Sequence, residues 1–173
     1  MEHKNMEKKF FTTQELVFTA LMTALVFVAT YLPHIPIPLG YAHLGDAVIF
    51  LLAFLAPRCT TLFAACIGSA LADLLGGFAL WIVPTLVIKF VMAEIVCRIG
   101  RRGNEIAPRS GIIVALFLAS LWMAAAYTLA GAVLYASLPA ALASAPGLLM
   151  EGAVNSIITF LLLPVLRERF PSF

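Results

Sequence analysis

Charge is what this 173-residue chain has least of. Asp, Glu, Lys and Arg together make up 12% of it, about half the usual share of a soluble domain. The hydrophobic fraction is 62%, more apolar side chains than a water-soluble globule of this size can bury. The same figures exclude disorder. Eleven basic against nine acidic residues, a net charge of +2, exclude the electrostatic footprint of a nucleic-acid binder. Three cysteines, Cys59, Cys66 and Cys97, have no CxxC spacing and read as small apolar residues. GxxxxGK[ST], HExxH and GxSxG are all missing, so the chain carries no P-loop and no recognisable hydrolase or zinc-protease motif. His34, His43 and Asp46 are too loosely spaced for a metal site, and no metal or other cofactor is expected.

What is abundant is apolar sequence broken by punctuation. At about 20 residues per crossing, six spans fit. Thr12 and Glu15 have the spacing of a capping box, which opens the first span, 15–32. Lys4, Lys8 and Lys9 precede an apolar run longer than a signal-peptide core, which reads as a retained helix. Pro33, Pro36, Pro38 and Gly40 interrupt helix and leave an ordered loop. The remaining spans are 44–56, 61–78, 81–99, 111–138 and 148–166, with a small-residue loop over 139–146. The second is short: thirteen helical residues rise about 20 Å, less than a hydrocarbon core.

Basic residues set the orientation. Lys4, Lys8, Lys9, Arg58, Arg98, Arg101, Arg102, Arg109, Arg167 and Arg169 all fall on one side if there are six spans. The positive-inside rule makes that side cytoplasmic and puts both termini there. The expected architecture is therefore one all-α integral membrane domain, a six-helix bundle with a short second helix and an ordered extracellular first loop. Span three, with Ala64, Gly68, Ala72 and Gly76 beside Ala65, Ser69, Asp73 and Gly77, is expected to pack on two sides. Ala20 and Ala24 on span one form either an internal packing face or a docking face for another membrane subunit.

Ionisable groups at bilayer depth are costly and mark function or internal pairing. Asp46, Asp73, Trp81, Lys89, Glu151 and Asn155, with Tyr127, Thr128 and Tyr135, gather towards the outer ends of their spans. Tyr41 and His43 lie in the loop above. Such a cluster suits a pocket for a small heteroaromatic solute open to the outside. Structural roles compete: an interfacial Trp81, an Asp46 that caps the second helix, a Lys89 paired with Glu151 or Asp73, and a Glu94 paired with Arg98 near the cytoplasm. Two other classes of function remain open at this point. One is a membrane-embedded enzyme using Asp73, Glu151 and His43 as acid–base groups. The other is a ligand-free structural subunit with Lys89 paired internally and a filled outer half.

The order of Ala20-x-x-x-Ala24, Leu44-Gly45-Asp46 and Ala70-Leu71-Ala72-Asp73-Leu74-Leu75-Gly76-Gly77 across six short spans resembles the S components of energy-coupling factor (ECF) transporters, of the riboflavin, pyridoxine and hydroxymethylpyrimidine type. Ala56-Pro57-Arg58-Cys59 departs from the glycine-rich turn of those relatives, which bears on the substrate subgroup. The resemblance implies a non-enzymatic vitamin-binding subunit of an ABC-type importer in a bacterial plasma membrane. It implies a solute site of Tyr41, His43, Trp81, Lys89, Tyr127, Glu151 and Asn155. It also implies an Ala20 and Ala24 face docked on a transmembrane coupling (T) subunit, which joins two cytoplasmic ATPases.

Overall fold

A computed structural model describes residues 12–33, 35–103 and 105–169. The expectations for Lys4, Lys8, Lys9 and His34 lie outside these residues. Six helices follow one another: α1 (Thr13–Tyr31), α2 (Gly45–Leu55), α3 (Arg58–Leu75), α4 (Ile82–Ile99), α5 (Arg109–Leu134) and α6 (Leu138–Arg169). Between α1 and α2 the chain forms an antiparallel hairpin of β1 (Ile35–Ile37) and β2 (Gly40–Ala42). A second, two-residue ladder joins α4 to α5, and a 3-10 turn, Ala79–Trp81, leads into α4. By length and composition, α1, α3, the segment Ala79–Ile99, α5 and α6 are each able to cross a membrane, and α2 is a shorter apolar helix.

The helix ends follow local chemistry. Thr12 and Glu15 close the expected capping box at the start of α1. Gly77, at φ 83°, turns the chain after α3 in a conformation that favours glycine. The expected loop over 139–146 is not formed. Instead α6 starts ten residues before the expected 148, because the prolines there do not stop it. Pro139 sits in the first turn, where an absent N–H costs nothing, and the helix runs on through Pro146.

The short second helix is the centre of the bundle. Eight of its eleven residues are buried, and it packs against α1, α3, α4 and α6. Lipid therefore does not set its length. Its ends are served from other elements: Arg101 Nη1 donates to the Ala56 carbonyl at 2.7 Å, and Asn155 Oδ1 accepts the Ala47 N–H at 3.0 Å. Asp46 does not cap α2: its carboxylate is taken by Lys89, and the Gly45 N–H at the helix start goes to His43 Nδ1.

α3 packs on two sides, as its small-residue stripes predict, with α1 on one and α4 on the other. On the α1 side a Cβ added to Gly68 would stand 2.8 Å from the Thr23 carbonyl oxygen and 2.9 Å from Val26 Cβ. Gly68→Leu is therefore expected to lower the melting temperature of the detergent-solubilised protein, at an overpacking cost of about 1–3 kcal/mol. An unchanged melt would show that α1 and α3 can part without loss. The α1 residues turned inward are Thr19, Val26 and Thr30, and Thr19 shares a hydrogen bond of 2.9 Å with Thr60 of α3. Ala20 and Ala24 face out of the bundle and are exposed.

Arginines collect at the end opposite the hairpin. There Arg58 of α3 and Arg98 of α4 both grip Glu94, at 2.5 Å each. The Glu94–Arg98 pair is the one expected from i,i+4 spacing, and Arg58 extends it across two helices. The three cysteines are free thiols.

Candidate solute pocket

The hairpin end of the bundle holds a cavity of about 540 Å3 of empty space, its mouth included. Seven separate elements build it. β1 and β2 give Ile37 and Tyr41, the end of α3 gives Asp73, the 3-10 turn gives Trp81, the start of α4 gives Thr85, α5 gives Tyr127 and α6 gives Glu151.

Each wall is held from behind. Ser144 Oγ on α6 accepts the Leu39 N–H of the hairpin turn at 3.1 Å. Gly147 of the same helix lets Ile37 lie against its backbone, where an added Cβ would come within 2.8 Å of Ile37 Cγ2. Trp81 sits over Gly131 of α5, where a Cβ would approach the indole to 3.3 Å, and its Nε1 donates to Tyr135 at 3.2 Å. The Trp81 and Tyr127 rings are tilted by 50° at 5.6 Å, and Tyr41 and Phe78 by 47° at 5.0 Å. Such tilted pairs fix ring orientation and leave faces towards the cavity.

The polar part is built around buried carboxylates. Asp73 accepts from Tyr41 at 3.2 Å and from Thr85 at 2.5 Å, and Thr85 in turn accepts from Tyr127 at 3.1 Å. Burial, with the Asp73 carboxylate beside it, pushes the Tyr41 hydroxyl well above its ordinary pKa, so it keeps its proton and donates. Glu151 is 6% exposed, with Oε1 at 3.1 Å from His43 Nδ1, and that nitrogen also receives the Gly45 N–H at 3.2 Å.

Of the residues expected to bind solute, Tyr41, His43, Trp81, Tyr127 and Glu151 line this one cavity. Lys89 and Asn155 are fully buried behind it. Lys89 pairs with Asp46, a partner different from Glu151 and Asp73, and its ammonium stands 5.3 Å over the Tyr127 ring. Asn155 ties three elements together. Besides taking the Ala47 N–H, it donates to the carbonyls of His43 and Glu151, each at 2.9 Å. Both therefore position the residues that line the cavity. Sequence reasoning gave no role to Phe78, Thr85, Ser144 or the hairpin's Ile37 and Leu39 and left Asp73 open between a ligand role and a structural one; all of them line it. Asp73 carried a signal in its depth; an apolar Phe78 or Ile37 carried none.

His43, Asp46 and Glu151 bring one ligand-type atom each to within 4.8 Å of the others; the set weighed from sequence joined His43 and Asp46 to His34, which lies outside the described residues. An acid–base enzyme would need Asp73, Glu151 and His43 to converge on one reacting atom. His43 and Glu151 are in contact, but Asp73 spends both oxygens on Tyr41 and Thr85.

Two comparisons bear on this arrangement. The family model of the ECF-type riboflavin transporter, S component, matches residues 10–168. An uncharacterized protein of the gap 3′ region of Pyrococcus woesei is 47% identical over 66 residues, 37% of this chain. The chain spans 44% of the length of that relative.

Proposed function

The chain belongs to the family of ECF-type riboflavin transporter S components, and on that premise we propose that it captures a small vitamin-like heteroaromatic solute at the hairpin end of its bundle, for ATP-driven import. The family is one of transport subunits, not enzymes. The observation that carries the reading is the cavity itself: rings on three sides, with hydroxyls and carboxylates between them, the mixed apolar and polar lining of a small-molecule site. In this reading Tyr41, Trp81 and Tyr127 stack on the solute, and His43, Asp73 and Glu151 read its polar edge. Lys89 and Asn155 hold that edge in register.

Orientation follows from charge. Arg58, Arg98, Arg101, Arg102, Arg109, Arg167 and Arg169 lie away from the cavity, so the arginine end is cytoplasmic, as are both termini, and the cavity opens outside. No ATP-binding motif is present in the chain. Work is supplied by partners, a membrane coupling subunit and two ATPases, and the Ala20 and Ala24 face is where the coupling subunit docks. The setting is a prokaryotic plasma membrane.

The test uses the purified full-length protein. Trp81 is one of two tryptophans, so Trp122→Phe makes it the sole indole reporter. Riboflavin, pyridoxine and 5-hydroxymethyl-4-amino-2-methylpyrimidine are titrated in turn, and extracts of the protein are analysed by mass spectrometry. We expect saturable quenching by a heteroaromatic solute, and an affinity, read by calorimetry, that falls about tenfold or more in Trp81→Ala, which removes a stacking face. No quenching and no co-purified small molecule would refute a solute pocket.

A further inference from the structure

The cavity has an imbalance of charge. Its lining includes the carboxylates of Asp73 and Glu151 and no lysine or arginine. The nearest buried cation, Lys89, is committed to Asp46 behind the wall. Three buried carboxylates at this end therefore share one ammonium group.

The two lining carboxylates are not equivalent. Asp73 has both oxygens occupied by hydroxyl donors. Glu151 has the His43 backbone amide near its carboxylate, but Oε1 is fully buried and accepts no hydrogen bond among the described residues. Its neighbour at 3.1 Å, His43 Nδ1, also takes the Gly45 N–H at 3.2 Å. A buried anionic oxygen left this way is costly. A donor arriving with the solute removes that cost. Around the same space stand the rings of Tyr41, Phe78, Trp81 and Tyr127, whose faces attract cations.

We propose that the solute is cationic where it meets Glu151: a heteroaromatic ring bearing a protonated amine, whose N–H groups bond to Glu151 Oε1 while the ring lies among the aromatic walls. This rests on the solute-binding reading above and narrows it, because a neutral ring with hydroxyls would leave the excess negative charge in place. Recognition by Glu151 also explains why Lys89 is paired elsewhere: a free ammonium at the wall would repel such a guest.

The experiment compares two pairs of equal shape at neutral pH on the full-length protein. One pair is 5-aminomethyl- against 5-hydroxymethyl-4-amino-2-methylpyrimidine. The other is pyridoxamine against pyridoxine. In each, the amine carries the charge and the alcohol does not. The amine of at least one pair is expected to bind about tenfold or more tightly than its alcohol, as a hydrogen bond to a charged group provides. Glu151→Gln should bring the two to within about twofold by weakening the amine far more than the alcohol. Equal or better binding of the alcohols, or of riboflavin, to the unaltered protein overturns the proposal and means that Glu151 holds a proton of its own. A preference that survives Glu151→Gln overturns the assignment to Glu151. Failure of all five compounds to bind, with no co-purified solute, overturns the pocket reading as well, so the two failures are told apart. The comparison on the unaltered protein decides the charge class even if the variant does not fold.

Discussion

Asp46→Ala is expected to be among the most destabilising single substitutions available in this chain, at a cost of about 3–5 kcal/mol. Asp46 and Lys89 are both 0% exposed, and the pair joins the central helix α2 to α4. Removing the carboxylate leaves an ammonium group at bilayer depth without its hydrogen-bonded counter-ion, over the Tyr127 ring at 5.3 Å. Glu151, the next acid, stands against His43 on the cavity side. The origin of the cost is loss of a partner, not loss of attraction. The double substitution Asp46→Leu with Lys89→Met should therefore recover most of the stability, since a well-packed apolar pair of similar volume is often as stable as the buried ion pair it replaces. Thermal melts of the parent, Asp46→Leu, Lys89→Met and the double variant in one detergent make the cycle, with Asp46→Ala measured beside them. If the single Asp46→Ala protein melts with the parent, the pair carries no weight in the fold.

The same pair shows how far the sequence could be read. That Asp46 and Lys89 lie at membrane depth was legible from spacing and hydropathy, and so was the need for partners. Which partner each takes was not. Residues 46 and 89 meet because α2 is drawn into the middle of the bundle, and that follows from its being apolar on every side, eight buried residues of eleven, with no stripe to define one neighbour. For the same reason its shortness was legible but not its cause: a helix enclosed by protein need not match the bilayer. The α6 start was misplaced because prolines were read as breaks. One of them lies in the first turn, where it is tolerated, and at Pro146 packing against α2 and α5 outweighs one missing N–H. The hairpin was masked likewise by proline and glycine, which signalled irregular chain although Ile35, Pro36 and Ile37 could pair with Ala42, Tyr41 and Gly40. The pocket's polar and aromatic members announced themselves by depth, whereas the cap that Asn155 makes on α2 did not. No single-chain pattern marks a side chain that caps a helix 108 residues away.

Bulk added to the exposed small face of α1 is expected to stop transport without touching capture. Ala20 and Ala24 are exposed on the outer side of α1, while the inner side is taken up by the threonines that meet α3. The bundle therefore does not use this smooth strip for its own packing, and small residues at i and i+4 are what let a second helix approach closely in lipid. Ala20→Trp and Ala24→Trp each put an indole where a docked helix backbone would lie. The isolated protein should fold and bind solute as before, because neither side chain reaches the cavity. Uptake in cells supplying the coupling subunit and its ATPases should fall about tenfold or more, since ~1.4 kcal/mol of lost docking is already a factor of ten. Leu161→Trp on α6, at a position 65% exposed, controls for added surface bulk and should leave uptake intact. Uptake that persists in both alanine variants would place the coupling contact on another face. A loss of solute binding in either would mean that α1 takes part in shaping the pocket.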